Sequence, residues 1–190
     1  IVGYEDFGPD RTNWMKTMSN NNWLNRMQVY GTHYYPNSRP KSKLISDLFY
    51  AEELPFWSTE PHWDNTNDPG DTDLGLAEEA MCALWDQIEL GMNGFMWWSY
   101  GGSNKVRENL MYETSIPLKD AHMIDMDDLD GRSTTTLGKL QTRAFREGNK
   151  LTVMAINMTA TELTNYGFTL NNGSISGNVN YTQFTDFTAV

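Results

Sequence analysis

Leu54-Pro55-Phe56-Trp57-Ser58-Thr59-Glu60-Pro61-His62-Trp63 is the stretch whose reading decides the fold. An apolar run ends in a single carboxylate, proline breaks the run, and His62, Trp63 and Asp64 follow. A strand that closes on an acid is how a parallel barrel presents a reactive group at its C-terminal rim. Aromatic faces suit sugar rings, because C–H bonds pack on π-clouds while hydroxyls seek polar partners. Glu60 therefore has two readings: the reactive carboxylate of a carbohydrate site, or an acid that caps a strand end or pairs with a lysine. The aromatic neighbours and the organisation of the rest of the chain favour the first.

Working outward, Met27 to Tyr35 reads as a strand stopped by Pro36, with His33, Tyr34 and Tyr35 at its tip. Lys41 to Glu53 shows helical spacing through Leu44, Ile45, Leu48 and Phe49. Ile1 to Tyr4 reads as a short buried strand followed by a loop from Glu5 to Pro9, and Asp10 is a candidate cap for a helix carrying Trp14, Met15 and Met18. That start, without a methionine, suggests a chain that follows something longer. Beyond the polar loop Asn65–Asp73, the residues Leu76, Ala77, Ala80, Met81, Leu84, Ile88 and Leu90 make an amphipathic helix that Gly91 stops. Gly94 to Tyr100 is the next strand, turned out by Gly101-Gly102. A long loop to about Leu129 and a closing helix over Thr134–Phe145 are expected after it. Trp14, Trp23 and Trp85 fall in helical patterns and are expected in the core.

Strand and helix thus alternate four times, with apolar strands, which implies parallel strands covered by helices. The expected class is α/β, with residues 1–148 forming four consecutive β/α units of a (β/α)8 barrel. After Gly148 the period changes to strand-like runs at 151–157, 166–170 and 179–184, with a turn signal at Asn171-Asn172-Gly173. Residues 149–190 are therefore expected to form part of an antiparallel β-sandwich, too short to be a complete one.

The totals narrow the function. A net charge of −11 should repel nucleic acid and anionic membrane surfaces, and no stretch has transmembrane length. Cys82 is the single cysteine, so an intramolecular disulfide is excluded, and its helical setting fits a small buried hydrophobe. No cofactor is expected. His33, His62 and His122 share no metal-ligand spacing. The acidic run Asp125–Asp130 lacks a complete calcium-loop pattern, and no glycine loop has the lysine context for phosphate.

The strand ends resemble the second half of a clan A retaining glycosidase barrel, strands five to eight. In that clan the nucleophile is a glutamate ending strand seven, which Trp57-Ser58-Thr59-Glu60 matches. Strand six commonly ends in His or Tyr, which His33-Tyr34-Tyr35 fits. Strand eight commonly supplies a tryptophan platform, which Trp97-Trp98 fits. The phrases Thr32-His33-Tyr34-Tyr35-Pro36, Trp57-Ser58-Thr59-Glu60 and Gly94-Phe95-Met96-Trp97-Trp98 look most like the β-agarase and β-porphyranase family, glycoside hydrolase family 86. The resemblance covers residues 1 to about 160. It implies a secreted, endo-acting hydrolase of red-algal galactans, agarose or porphyran.

By that resemblance Glu60 is the catalytic nucleophile, and His33, Tyr34, Tyr35, His62, Trp63, Trp97 and Trp98 are substrate-binding candidates. His33 has a structural alternative, a histidine bonded to backbone. Trp97 and Trp98 alternate along a strand, so only one can line the site, with Trp97 favoured. The departure is the acid/base: retaining enzymes need two carboxyl groups about 5–5.5 Å apart, and no Asn-Glu pair precedes Glu60. Glu5, the one early strand-end glutamate, is one candidate for the acid/base, but it matches strand five rather than four, so the residue is rather expected in an N-terminal half, on the same gene or a separate chain. Expected partners are the polysaccharide and either that half-barrel or a second copy, because a half barrel leaves open sheet edges. A non-catalytic carbohydrate-binding or remnant module is the alternative.

Overall fold

The computed structural model describes residues 1–5, 13–34, 41–60, 74–96, 105–124, 140–157, 161–162, 168–171, 173–177 and 179–181. It divides into two compact units, Ile1–Glu113 and Thr114–Val190. The first contains β1 (Val2–Tyr4), α1 (Trp14–Asn20), β2 (Val29–Thr32), α2 (Lys41–Ala51), β3 (Phe56–Ser58), α3 (Leu74–Glu89) and β4 (Met92–Phe95), and α4 (Lys105–Ser115) begins in it. The four strands form one parallel sheet in the order β1-β2-β3-β4. Each successive strand lies beside the previous one, as repeated strand–helix units require.

The two faces of this sheet differ. Tyr30, Thr32, Phe56 and Ser58 share one face and are all buried. The Tyr30 and Phe56 rings lie 5.7 Å apart, and the Tyr30 hydroxyl donates to Asp47 Oδ2 of α2 at 2.8 Å. This face therefore looks at the helices, and Asp47, only 1% exposed, is tied to it. Tyr30→Phe removes one partner of that buried carboxylate and should lower stability by about 1–3 kcal/mol. Urea unfolding checks this; an unchanged midpoint would show that the bond contributes nothing.

The opposite face carries Val2, Gly31, Trp57, Thr59 and Gly94. A Cβ on Gly31 would approach Val2 Cγ1 to 2.7 Å and Thr59 Cγ2 to 3.1 Å, and one on Gly94 would approach the Trp57 ring to 2.5 Å. Glycine at these positions lets neighbouring side chains lie across the backbone. Between Phe56 and Trp57 the β3–β4 register shifts, leaving Asn93 as the extra residue, a bulge of the kind that re-aims side chains at a sheet's rim.

α3 explains the best helical pattern in the sequence. Ala80, Met81, Cys82, Ala83, Leu84, Trp85 and Gln87 are all buried, so the helix is covered on more than one face. Gly91 follows at φ 91°, a conformation open to glycine at no steric cost. Trp85 is in the core as expected, but Trp14 and Trp23 are 48% and 39% exposed. α1 is only seven residues long, too short for a wide buried stripe, and Trp23 lies under the Arg26 guanidinium at 5.7 Å instead. The expected cap Asp10 lies outside the described residues.

The second unit holds β5 (His122–Ile124), β6 (Leu140–Glu147) and β7 (Lys150–Asn157) in one antiparallel sheet, order β5-β6-β7. Glu147 pairs with Lys150, leaving Gly148-Asn149 as a two-residue turn, with Gly148 at φ 55°. Three expectations are corrected here. The loop expected before Leu129 contains α4 and β5; Lys, Arg, Glu, Leu and Met in Lys105–Ser115 are strong helix formers, but the apolar residues are too sparse to make a visible stripe. The expected closing helix is replaced over residues 140–145 by β6, while residues 134–139 lie outside the described set. Gln141 and Arg143 are buried beside Phe145, so a strand's usual apolar–polar alternation is hidden. Arg143 Nη1 donates to the Thr142 carbonyl at 2.8 Å. The boundary expected at 148 falls on the hairpin tip between β6 and β7, both of which lie in the second compact unit. Of the later strands, residues 168–170 and 179–181 are described and are neither helix nor strand.

No described helix is long and apolar enough to cross a membrane.

Candidate active site

The C-terminal ends of three adjacent parallel strands bring together one imidazole and two carboxylates. Glu5 follows β1, His33 follows β2, and Glu60 lies two residues beyond β3. His33 Nε2 is 3.3 Å from Glu5 Oε2 and 3.6 Å from Glu60 Oε2. Glu60 and His33 are 24% and 16% exposed at their side chains, and Glu5 is 46% exposed, so the group is reachable yet partly sheltered.

The rim is held by backbone, not only by side chains. Glu5 N–H donates to the Gly31 carbonyl at 2.9 Å, Thr59 N–H to Thr32 at 3.0 Å, and Met96 N–H to Ser58 at 2.9 Å. The ladder thus continues one residue past the ends of β1, β3 and β4. Glu60 is attached to the last of these fixed positions on β3, and His33 directly to the end of β2. Ligands of parallel sheets bind outside such strand ends, and a carboxylate here can act as nucleophile, as base or as an acceptor for sugar hydroxyls.

Alternation along β2 separates the three expected tip residues. His33 continues the face of Gly31 and reaches the two carboxylates. Tyr34 continues the face of Tyr30 and Thr32, and is 2% exposed. Its phenol is pushed up to about 12, first by burial and second by the negative charge of Asp86 in α3. Tyr34, expected at the rim as a substrate contact, is therefore packed toward the helices. Between about pH 10, where the unfolded phenol ionises, and about pH 12, the native chain keeps a proton that the unfolded chain has lost. Stability from Tyr34 is complete below that window and falls as pH rises through it. Tyr34→Phe should flatten the alkaline limb of the stability profile, followed by urea midpoints at successive pH values.

Tyr35, His62, Trp63, Trp97 and Trp98 lie outside the described residues. Lys41 is engaged with Asp86 at 3.1 Å and Glu89 at 3.4 Å, clasping the start of α2 to the end of α3. Among the described residues no three His, Cys, Asp or Glu side chains are arranged to hold a metal ion. In the rim group both carboxylates address the same ring nitrogen, which must then be a donor. The proximity of Glu5 to His33 is the feature that sequence reasoning missed. Its visible signal was a glutamate directly after the strand Val2-Gly3-Tyr4.

No protein-family model matches the chain, and no curated protein matches it by sequence. Among solved structures it is similar to a GH30 endoxylanase from Clostridium papyrosolvens C71, with a TM-score of 0.56 and 19% identity over 82% of this chain and 40% of that one. At that identity the likeness is one of fold: a mixed α/β chain, with a parallel four-stranded sheet and a separate antiparallel sheet, similar to part of a clan A glycoside hydrolase. The match covers 40% of that enzyme's length.

Proposed function

We propose that this chain is the nucleophile-bearing part of a retaining glycoside hydrolase, with residues from 1 into α4 forming the second half of a (β/α)8 barrel. The observation that supports it is Glu60 at the C-terminal rim of a parallel sheet, facing His33 from the neighbouring strand, in a fold similar to a GH30 endoxylanase. In the reaction a Glu60 oxygen attacks the anomeric carbon as the glycosidic C–O bond breaks. The electron pair leaves on the glycosidic oxygen, which takes a proton from a second carboxyl group. Water then cleaves the glycosyl ester and releases Glu60. We place the acid/base on an N-terminal half-barrel, either the same polypeptide or a separate partner, whose docking would also cover the outer edges of β1 and β4.

The substrate class we propose is a red-algal galactan, bound endo-fashion with indole and imidazole groups of the rim on the sugar faces. A neutral polymer of the agarose type fits better than a sulfated one. The chain carries −11 net charge, and Lys41 is already paired. Such polymers do not enter cells, so the enzyme would act outside. A second reading, favoured by the 40% coverage of the endoxylanase, is a module that binds glycan without cleaving it.

Reducing-end release from agarose and porphyran separates them, measured with this chain alone and then with an N-terminal half supplied. Release that disappears in Glu60→Gln supports the hydrolase. Binding without release under both conditions overturns it and supports the module.

A further inference from the structure

We propose that Glu5 is a positioning residue for Glu60, acting through His33; the inference rests on the reading of Glu60 as nucleophile. Two carboxylate oxygens lie on one ring nitrogen, at 3.3 Å for Glu5 and 3.6 Å for Glu60. A lone pair aimed at two anionic oxygens would be repelled, so Nε2 carries the hydrogen. Glu5 has the shorter approach and takes the hydrogen bond. The Glu60 contact is too long for one and is electrostatic only.

Three features show that Glu5 is built into this place rather than resting on the surface. Its backbone has φ 32°, a conformation that a residue with a Cβ adopts only under constraint. Its N–H is anchored to the Gly31 carbonyl at 2.9 Å. Its carboxylate also occupies space that a side chain at residue 31 would fill, since a Cβ there would lie 2.6 Å from Glu5 Oε1. Strain at residue 5 and the missing side chain at residue 31 serve the same carboxylate.

The chemical consequence is a division of the imidazole's attention. Glu5 fixes the tautomer and rotation of His33, so that a partial positive charge always faces Glu60. Because Glu5 rather than Glu60 takes the imidazole hydrogen, attack by Glu60 need not break a hydrogen bond to His33. When Glu60 becomes an ester and loses its charge, His33 keeps a charged partner and does not turn away. The same geometry is then ready for the second half of the reaction.

The test uses the full chain labelled with ¹⁵N, without substrate. The chain has three histidines, so His33 is assigned by the signals lost in His33→Asn. The parent should show His33 as the Nε2–H tautomer. Glu5→Leu should speed exchange of that hydrogen with water by about tenfold, the factor one hydrogen bond supplies, and admit the Nδ1–H tautomer. Glu5→Gln, which keeps an accepting oxygen and the shape, is the control for folding and should fall between the two. Glu60→Gln should leave the exchange rate within about twofold, because its contact is not a hydrogen bond. An unmoved His33 in Glu5→Leu, or a larger change in Glu60→Gln, overturns the proposal. In the complemented enzyme, Glu5→Gln should lower kcat with KM unchanged; a change in KM alone would overturn the positioning role. Because the spectra need no turnover, loss of the hydrolase reading would show separately, as absent glycan cleavage with the Glu5–His33 coupling intact.

Discussion

If Glu60 is the nucleophile proposed above, Glu60→Gln in the enzyme complemented with an N-terminal half lowers glycan cleavage by roughly 10⁴-fold or more, the scale on which removal of a covalent nucleophile is felt. Glutamine matches glutamate in size, and the side chain is partly exposed, so the folded state should be retained. What is lost is the anionic oxygen that attacks the anomeric carbon; an amide oxygen is too weak a nucleophile to form the ester at a useful rate. The complementary experiment is Glu60→Gly with added azide. A small anion entering the vacated space should restore cleavage and yield a glycosyl azide of inverted configuration. A folded Glu60→Gln chain that keeps a tenth of parental activity would remove Glu60 from the mechanism. An azide product with the substrate's configuration would do the same.

The second large effect is on stability. Trp85→Ala should cost about 3–5 kcal/mol, a large part of the 5–15 kcal/mol that a domain typically has. Trp85 is 1% exposed and lies in the buried stretch of α3, the helix that also supplies Asp86 beside Tyr34 and the two partners of Lys41. A cavity there loosens the helix that packs on β4, the strand beside β3. The urea midpoint should fall with an unchanged slope if the transition stays two-state. Trp85→Phe, which keeps a ring in the cavity, should lose less than half as much. Equal losses from the two variants would mean that the indole's volume is not what matters.

Much of the parallel sheet was legible in the sequence because its strands are short apolar runs bounded by proline, glycine and polar residues. Phe56-Trp57-Ser58 and Val29–Thr32 needed only that pattern. Glu60 and His33 were legible for the same reason, as the first polar groups after such runs. Tyr34 differs from its expected place at the rim because side chains alternate along β2 as along any strand, so His33 and Tyr34 point to opposite faces. α4 was missed because Leu110 and Met111 are its only described buried residues, and a helix with so narrow an apolar face gives little periodic signal. The helix expected over Thr134–Phe145 gives way to β6, whose buried face includes Gln141 and Arg143, polar residues that break the apolar alternation by which a strand is recognised. Glu5 illustrates another limit: its neighbours are Gly31 and His33, and nothing in Val2–Glu5 points to them.

The hydrogen bonds that carry the ladder beyond β1, β3 and β4 have an evolutionary consequence. The reactive atoms hang from the scaffold's own last rungs, not from the connecting segments farther out. Those segments can lengthen, shorten or be exchanged without displacing the acid or its imidazole. On the proposed reading, one inherited pair of side chains could in this way be offered to different glycans, with recognition rewritten in the segments around it.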